Sequence, residues 1–233
     1  MAPDRPGPPT PHSSPLSRRR LLGGAALAAG GVVLGGAADL AAPRRADAAV
    51  TPPRIYTRVE WNARPPSSPV TVLDRWPDHV IVHHTASDNT TDYSLAQAFN
   101  LSHWIQDLHM DTNGWIDAGQ QLTISRGGYL MEGRDRSLWA IQNGQHVQGA
   151  QCAGHNDHTI GIENEGLYTS VDTTTMLFDQ LVATCARLCD VYRLDPHQAI
   201  VGHRDYVATQ CPGDVLYARL PELRDRVAQA LGA

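Results

Sequence analysis

The stretch Val80-Ile81-Val82-His83-His84-Thr85-Ala86-Ser87 joins a short run of β-favouring residues to two adjacent histidines and a small polar loop. Such an apolar run, bounded by turn-forming residues, predicts a buried strand. Loops that follow rigid strands commonly carry functional side chains, because the sheet holds them while the loop opens to solvent. We therefore expect His83 and His84 to lie at a sheet edge, where imidazoles can bind a metal ion or act as a base.

Two later stretches bring further chemistry to the ends of predicted strands. Thr159-Ile160-Gly161-Ile162-Glu163-Asn164-Glu165 carries carboxylates, and Ile200-Val201-Gly202-His203 is followed by the thiol of Thr209-Gln210-Cys211-Pro212. A hydrolytic zinc site needs three protein ligands and one open position, which lowers the pKa of coordinated water toward ~7. We predict that His83, His203 and Cys211 bind one zinc ion.

Glu163 shares a strand face with Gly161, opposite the two neighbouring isoleucines. A carboxylate in so apolar a strand requires a partner, because burying an unpaired charge is unfavourable. One interpretation is an ion pair with Arg134 or Arg204. The other makes Glu163 the catalytic base that deprotonates water and later protonates the leaving amine.

Strand and helix patterns alternate along the chain. The predicted strands cover residues 80–83, 121–125, 129–132, 159–163 and 199–202, and the predicted helices cover 94–108, 173–192 and 221–231. The strands at 121–125 and 129–132 flank Gly127-Gly128, which predicts a hairpin. The whole pattern predicts an α/β fold, with a central mixed β-sheet flanked by helices on both faces.

The first 48 residues have the composition of an export signal. Ser17-Arg18-Arg19-Arg20-Leu21-Leu22 precedes an Ala- and Gly-rich tract, and Ala46-Asp47-Ala48 is a small-x-small cleavage pattern. The twin arginine and the weak hydrophobicity resemble a Tat signal, and an uncleaved anchor is the alternative. We predict a signal over 1–48, a linker over 49–60 and one catalytic domain over 61–233. The mature protein would be extracellular or attached to the cell wall, without stable membrane insertion.

Composition restricts the partners and the catalytic groups. The formal net charge of the 233-residue chain is −5, and the predicted signal removes more arginines than acids, so the rest is more acidic. This balance argues against a nucleic-acid partner. All basic residues other than histidine are arginines, so no lysine can act in catalysis.

Four cysteines in an exported protein predict at least one disulfide. If Cys211 binds metal, Cys152, Cys185 and Cys189 remain. Cys185 and Cys189 lie one helical turn apart and are poorly placed to bridge each other. A disulfide would therefore join Cys152 to one of them.

Five motifs occur in an order typical of one enzyme family: Val82-His83-His84-Thr85-Ala86, His109-Met110-Asp111-Thr112-Asn113-Gly114-Trp115, Met131-Glu132-Gly133-Arg134, Gly154-His155-Asn156-Asp157-His158-Thr159-Ile160-Gly161-Ile162, and Gly202-His203-Arg204-Asp205 with Thr209-Gln210-Cys211-Pro212-Gly213. Together they resemble the type-2 N-acetylmuramoyl-L-alanine amidases and the peptidoglycan-recognition proteins, from about Trp61 to Leu231. The resemblance implies a zinc enzyme that hydrolyses the amide between N-acetylmuramic acid and L-alanine in bacterial peptidoglycan. It also implies zinc ligands at His83, His203 and Cys211, with His84 as the alternative to His83.

Two departures from the family pattern affect the catalytic roles. Many members have a catalytic tyrosine where this chain has Gln120, and an amide cannot act as a base. Glu163 is similar to the strand glutamate of bacterial amidases, so the resemblance makes it the base and makes Gln120 a substrate contact. Thr209 stands where some members have lysine, and its hydroxyl is expected to stabilise the oxyanion.

The resemblance also implies the substrate contacts. His84, His109, Trp115, Arg134 and Asn156 are expected to contact the stem peptide and muramic acid of peptidoglycan. We expect a monomer. Two other functions stay open: a peptidoglycan-binding module without catalysis, which usually lacks the cysteine ligand, and a zinc amidase with another muramoyl or peptide-amide substrate.

Overall fold

Short strands form two sheets in the computed structural model, which describes residues 52–232. The strands are β1 (Ile55–Tyr56), β2 (Val72–Leu73), β3 (His79–His84), β4 (Leu122–Ile124), β5 (Leu130–Glu132), β6 (His146–Val147), β7 (Thr159–Asn164) and β8 (Ile200–Gly202). Six of them form the main sheet in the order β1-β5-β4-β7-β3-β8, and β2 pairs with β6 separately.

The main sheet is mixed. β3 runs parallel to both β7 and β8, and β4 runs parallel to β7 but antiparallel to β5. In this register His83 lies beside Glu163, and Val82 lies beside Gly202. The carboxyl ends of three parallel strands therefore meet at one edge of the sheet.

The helices are α1 (Leu95–Asp107), α2 (Ser137–Gln142), α3 (Thr175–Tyr192), α4 (Pro196–Ala199), α5 (Asp214–Ala218) and α6 (Leu220–Ala230). Ser94 and Thr174 begin α1 and α3, because each side chain accepts a hydrogen bond from a backbone N–H of the first turn. A π-helical turn, Leu108–Thr112, extends α1, and a 3₁₀ turn, His203–Asp205, follows β8.

Helices cover both faces of the sheet. On one face, Val80 and Val82 of β3 pack in one cluster with α3 and α6, including Leu177 and Leu223. On the other face, Ala98 of α1 packs with Trp61 and Met131. Alternation along each strand sends successive side chains to opposite layers, which produces the two clusters. The predicted α/β fold with a mixed sheet and flanking helices is confirmed.

Part of the segment predicted to be a linker belongs to the fold. Ile55–Tyr56 pairs in parallel with β5 at the sheet edge. The Tyr56 ring packs edge-on against Phe99 and Tyr129, with centroid distances of 5.6 and 5.8 Å. Two prolines before this strand suggested a linker, but contacts with aromatic residues far along the chain, Phe99 and Tyr129, hold the strand on the sheet. The predicted export signal over 1–48 lies outside the described residues.

Within residues 52–232, no helix combines the length and the apolarity needed to cross a membrane.

The expected disulfide is not found, and all four cysteines are free thiols. Cys185 and Cys189 lie in the core cluster beneath α3, whereas Cys152 lies in the loop before β7 and outside that cluster. The helix carries both thiols into the core, away from the loop. Counting cysteines could not reveal this separation.

Candidate metal centre and active site

Strand register places His83 and Glu163 side by side. In β3, Val80 and Val82 enter the core under α3, so Ile81 and His83 face the other way. The same alternation in β7 turns Glu163 to the face opposite α3. Because the register pairs His83 with Glu163, an imidazole and a carboxylate lie together at the carboxyl edge of the sheet.

The loop after β8 folds back on itself and brings His203 next to Cys211. The N–H of Arg204 donates to the carbonyl oxygen of Cys211 at 3.1 Å, and the N–H of Gly202 donates to the Asp205 carboxylate at 2.8 Å. The N–H of His84 donates to the Cys211 sulfur at 3.4 Å. These backbone contacts attach the sulfur to the end of β3.

The three predicted ligands fit a zinc ion. One ligand atom each of His83, His203 and Cys211 lies within 4.8 Å of the others. The Nδ1 atom of His83 lies 3.6 Å from the Cys211 sulfur. Zinc bonds of about 2.3 Å to sulfur and 2.0–2.1 Å to nitrogen, at a tetrahedral angle, separate these two atoms by about 3.6 Å.

A hydrogen-bond relay orients His83 so that Nδ1 faces the sulfur. The Thr159 hydroxyl donates to the His155 carbonyl at 2.7 Å and accepts from the Gln151 amide nitrogen at 2.9 Å. The Gln151 amide oxygen must therefore face His83 Nε2, which lies 2.6 Å away. This oxygen can only accept, so the proton of His83 resides on Nε2 and the Nδ1 lone pair is free for a metal.

The sequence analysis did not identify this role of Gln151. The available signal was Gly161 in the middle of a core strand, which indicates close approach by another group. A Cβ atom at Gly161 would lie 2.7 Å from Cγ of Gln151. The glycine therefore makes room for the glutamine.

Replacing Gln151 with leucine should weaken zinc binding by about 10–100-fold, because loss of a hydrogen bond to a ligand has effects of this size. Gln151→Glu keeps the acceptor and should retain most of the affinity. Gln148→Leu, three residues earlier in the same segment, is the matched control and should bind zinc as the wild type does. Competition with a chromogenic chelator measures each affinity, and equal affinity in Gln151→Leu would refute the relay.

Burial keeps the imidazoles neutral and ready to bind a metal. It lowers the pKa of His83 to about 3, with positive charge at His203 adding to the effect. Burial also lowers the pKa of His203, and it lowers that of His84 to about 4. The Cys211 thiol is affected in the opposite direction, since burial raises its pKa to about 12. A metal ion must therefore displace a proton from this thiol.

Glu163 is the unpaired acid of the site. Burial raises its pKa to about 8. Neither sequence-based ion-pair candidate reaches it: Arg204 pairs with Asp214 at 2.7 Å, and Arg134 donates to the Ala118 carbonyl at 2.8 Å. Glu163 forms no ion pair within residues 52–232. The catalytic interpretation of its partly buried carboxylate is therefore favoured over the structural one.

The metal-free protein should lose stability as the pH falls from about 6.5 toward 4. Burial lowers the folded-state pKa of His83 to about 3 and those of His84, His109 and His146 to about 4, so the unfolded chain takes up protons first. Each of these histidines should lower the unfolding free energy by on the order of 1 kcal/mol for each pH unit of acidification. The raised pKa of Glu163 acts in the opposite direction and offsets the contribution of about one histidine. Urea unfolding at several pH values tests the slope.

Two variants separate this effect from general acid sensitivity. His146→Gln, at a buried ring outside the site, should flatten the slope. Gln148→Leu, which removes no ionisable group, should leave it unchanged. Equal slopes in both variants would contradict the linkage to burial.

A cavity of about 510 Å³ opens over the ligands. Its lining contains all three predicted ligands and five other predicted residues: His84, His109, Trp115, Glu163 and Thr209. The rings of His109 and Trp115 are in contact, with centroids 4.6 Å apart and planes tilted by 33°, and the Gly119 N–H donates to His109 Nδ1 at 3.1 Å. The second nitrogen of His109 therefore carries the proton and can donate to a ligand.

Three predicted substrate contacts do not line this cavity. Gln120 is buried and donates to the Thr123 hydroxyl, and Arg134 is buried against the Ala118 carbonyl. Asn156 accepts from the N–H of Cys152. Each of the three supports neighbouring backbone or side chains, so the structure does not bring them to the site.

The N-acetylmuramoyl-L-alanine amidase family matches residues 73–214 of the chain. A human N-acetylmuramoyl-L-alanine amidase is 32% identical over 170 residues, which cover 71% of this chain and 27% of that protein. Peptidoglycan-recognition protein SC2 of Drosophila melanogaster is 31% identical over 164 residues, covering 68% and 80% of the two chains. The match thus spans less than a third of the human relative's length.

Solved structures with the same fold include a variant of Drosophila peptidoglycan-recognition protein LB in complex with tracheal cytotoxin. It superposes with a TM-score of 0.63 at 28% identity, covering 72% of this chain and 92% of that one. The family match over residues 73–214 contains the sheet edge that carries His83 and Glu163.

Proposed function

Because the chain belongs to the N-acetylmuramoyl-L-alanine amidase family, we propose that it is a zinc-dependent hydrolase of bacterial peptidoglycan. It cleaves the amide bond between the lactyl group of N-acetylmuramic acid and L-alanine of the stem peptide. One observation carries the proposal: His83, His203 and Cys211 converge at zinc-binding distances beside the unpaired carboxyl group of Glu163.

The donor set suits zinc, since two neutral imidazoles and one thiolate leave a coordination position for water. When bound, zinc supplies a Lewis acid that polarises the substrate carbonyl and makes water more acidic. Gln151 keeps Nδ1 of His83 turned toward the Cys211 sulfur, the other side of the proposed zinc site.

Glu163 moves the proton. Its raised pKa, about 8, lies close to neutral pH, where a general acid–base group is most effective. The carboxylate takes a proton from the attacking water and delivers it to the amide nitrogen as the bond breaks. The leaving amine of L-alanine then departs without a negative charge on nitrogen.

Thr209 is positioned to stabilise the oxyanion. Its hydroxyl oxygen accepts from the N–H of Cys211 at 3.2 Å, which leaves the hydroxyl hydrogen free to donate. A single donor of this kind contributes a few kcal/mol to transition-state stabilisation.

The substrate wall consists of His84, His109 and Trp115, all of which line the cavity. Burial lowers the pKa of His109 to about 4, so the ring stays neutral and donates one hydrogen bond to a stem-peptide carbonyl. The partly exposed Trp115 offers an apolar face beside it. The substrate, peptidoglycan, agrees with the export predicted from residues 1–48.

A peptidoglycan-binding module without catalysis is the second candidate, since two of the relatives are named as recognition proteins. The presence of Cys211 beside the two histidines favours the enzyme. Purified bacterial sacculi distinguish the two: the enzyme should release free stem peptides, detected by mass spectrometry. Sedimentation of the protein with sacculi without any released peptide would establish the binding module instead.

A further inference from the structure

A second group of metal-ligating side chains lies at the amino end of the same strands. His79 begins β3, and His158 directly precedes β7. The parallel register pairs His79 with Thr159, so the two histidines lie at the same sheet edge. The N–H of Asp78 donates to the carbonyl of His158 at 2.9 Å, which fixes the backbone between them.

Both imidazoles converge on one oxygen of Asp78. The Nδ1 atom of His79 lies 2.7 Å from Oδ1, and the Nδ1 atom of His158 lies 2.8 Å from the same atom. The three ligand atoms lie within 4.8 Å of one another. An ordinary surface ion pair needs only one imidazole, whereas two imidazoles and a carboxylate form a ligand set for borderline divalent metals.

The support behind His158 is of the kind that metal ligands have. The Nε2 atom of His158 lies 3.1 Å from Nδ1 of His155, so the ring can donate its second N–H there while Nδ1 binds a cation. The His155 ring in turn packs on Tyr206, with centroids 4.2 Å apart. The contacting rings of His155 and Tyr206 thus hold the orientation of one proposed ligand.

The geometry needs only a small adjustment to accept an ion. Nitrogen and oxygen ligands at 2.0–2.1 Å from a tetrahedral metal lie about 3.3 Å apart, roughly 0.5 Å more than the present separations. The side chain of Asp78 is more than half exposed and free to make this shift. The partly exposed rings leave the remaining coordination positions to water.

We propose that Asp78, His79 and His158 form a second metal site, which binds one zinc ion or a similar divalent transition metal. The ion takes the place of the two Nδ1 protons that now point at the carboxylate, and each neutral ring then carries its proton on Nε2. The site uses none of the residues assigned to catalysis, and it does not depend on the proposed function.

Cobalt(II) titration of the full chain tests the proposal, because only the His83–His203–Cys211 site contains sulfur. The wild-type protein should bind two Co²⁺ ions. Binding of the first should produce a thiolate-to-cobalt charge-transfer band in the near ultraviolet, and binding of the second should not increase that band. Equilibrium dialysis with elemental analysis counts the ions. Binding of a single ion by the wild type, with that band, would overturn the proposal.

Variants assign the second ion to these residues. His79→Gln combined with His158→Gln should abolish the second ion and keep the thiolate band. His197→Gln should keep both ions, since it changes a histidine that faces only one carboxylate, that of Asp225 at 3.9 Å. Should the double variant fail to fold, Asp78→Asn alone must weaken the second ion at least tenfold. A second ion of unchanged affinity in either variant would refute the assignment.

Discussion

Replacing Glu163 with glutamine should leave zinc bound and slow amide hydrolysis by about 10²–10⁴-fold, the range expected for a lost general base. The substitution keeps the shape of the side chain but removes its ability to accept a proton. Stem-peptide release from sacculi measures turnover, and elemental analysis of the same sample measures zinc. Because Glu163 lies beside His83 and is not a ligand in the proposed set, the two readouts should separate.

Glu165→Gln provides the matched control. This carboxylate lies two residues along the chain and outside the metal cavity, where it accepts from the N–H of Arg126 and from the Gln97 amide. Turnover per folded, zinc-loaded molecule should stay within about threefold of the wild type. Near-normal turnover in Glu163→Gln would remove Glu163 from the mechanism, and loss of zinc would make it a structural residue.

Glu163→Gln has a second, independent readout in the metal-free protein. Burial raises the folded-state pKa of Glu163 from 4.5 to about 8, so between these values the unfolded chain ionises while the folded chain keeps its proton. Stability from this group is present below pH 4.5 and declines as the pH rises toward 8. The stability of Glu163→Gln relative to wild type should therefore increase across this window in urea unfolding. A constant difference would indicate that the carboxyl group is solvated.

Replacing Cys211 with serine should lower zinc affinity by more than about 100-fold, because a neutral hydroxyl replaces a thiolate ligand. This loss exceeds the roughly 10–100-fold loss expected when only a hydrogen bond to a ligand is removed. Stem-peptide release should fall with the zinc content. Cys152→Ser makes the same change at a buried thiol outside the ligand set and should keep both zinc and activity. Full zinc occupancy in Cys211→Ser would exclude this sulfur as a ligand.

Proton release gives a direct test of the thiolate. Burial raises the pKa of Cys211 to about 12, so the free thiol is neutral at pH 7 and must lose about one proton on binding zinc. Calorimetry of zinc binding in buffers of different ionisation enthalpy counts the protons. The count should fall by about one in Cys211→Ser and stay unchanged in Cys152→Ser, and an unchanged count in Cys211→Ser would contradict the thiolate assignment.

Local patterns predicted the elements and the convergence of His83, His203 and Cys211, because both depend on periodicity and on strand ends. The apolar run that ends in His83 forms a strand of the central sheet, and Ser94 and Thr174 cap the helices predicted over 94–108 and 173–192. His83, His203 and Cys211 lie at or just beyond the ends of predicted strands. The parallel register brings those strand ends together.

Contacts between distant segments were not predictable in this way. Gln151 reaches His83 across 68 residues of sequence, and its amide orientation depends on a third residue, Thr159. Gln120 and Arg134 matched family motifs, yet both side chains are buried in structural contacts outside the cavity. A motif specifies a residue type and an order, whereas the direction of a side chain depends on the surrounding packing.

The amino-acid sequence by itself determined the alternation of strands and helices and the chemical identity of the proposed metal ligands, since both follow from residue type and spacing along the chain. The tertiary structure alone decided which nitrogen of His83 faces the sulfur and which polar residues reach the cavity. It also decided that the amino edge of the same strands gathers Asp78, His79 and His158. The physical reason is that hydrogen-bond direction and side-chain burial arise only when segments far apart in the chain pack together.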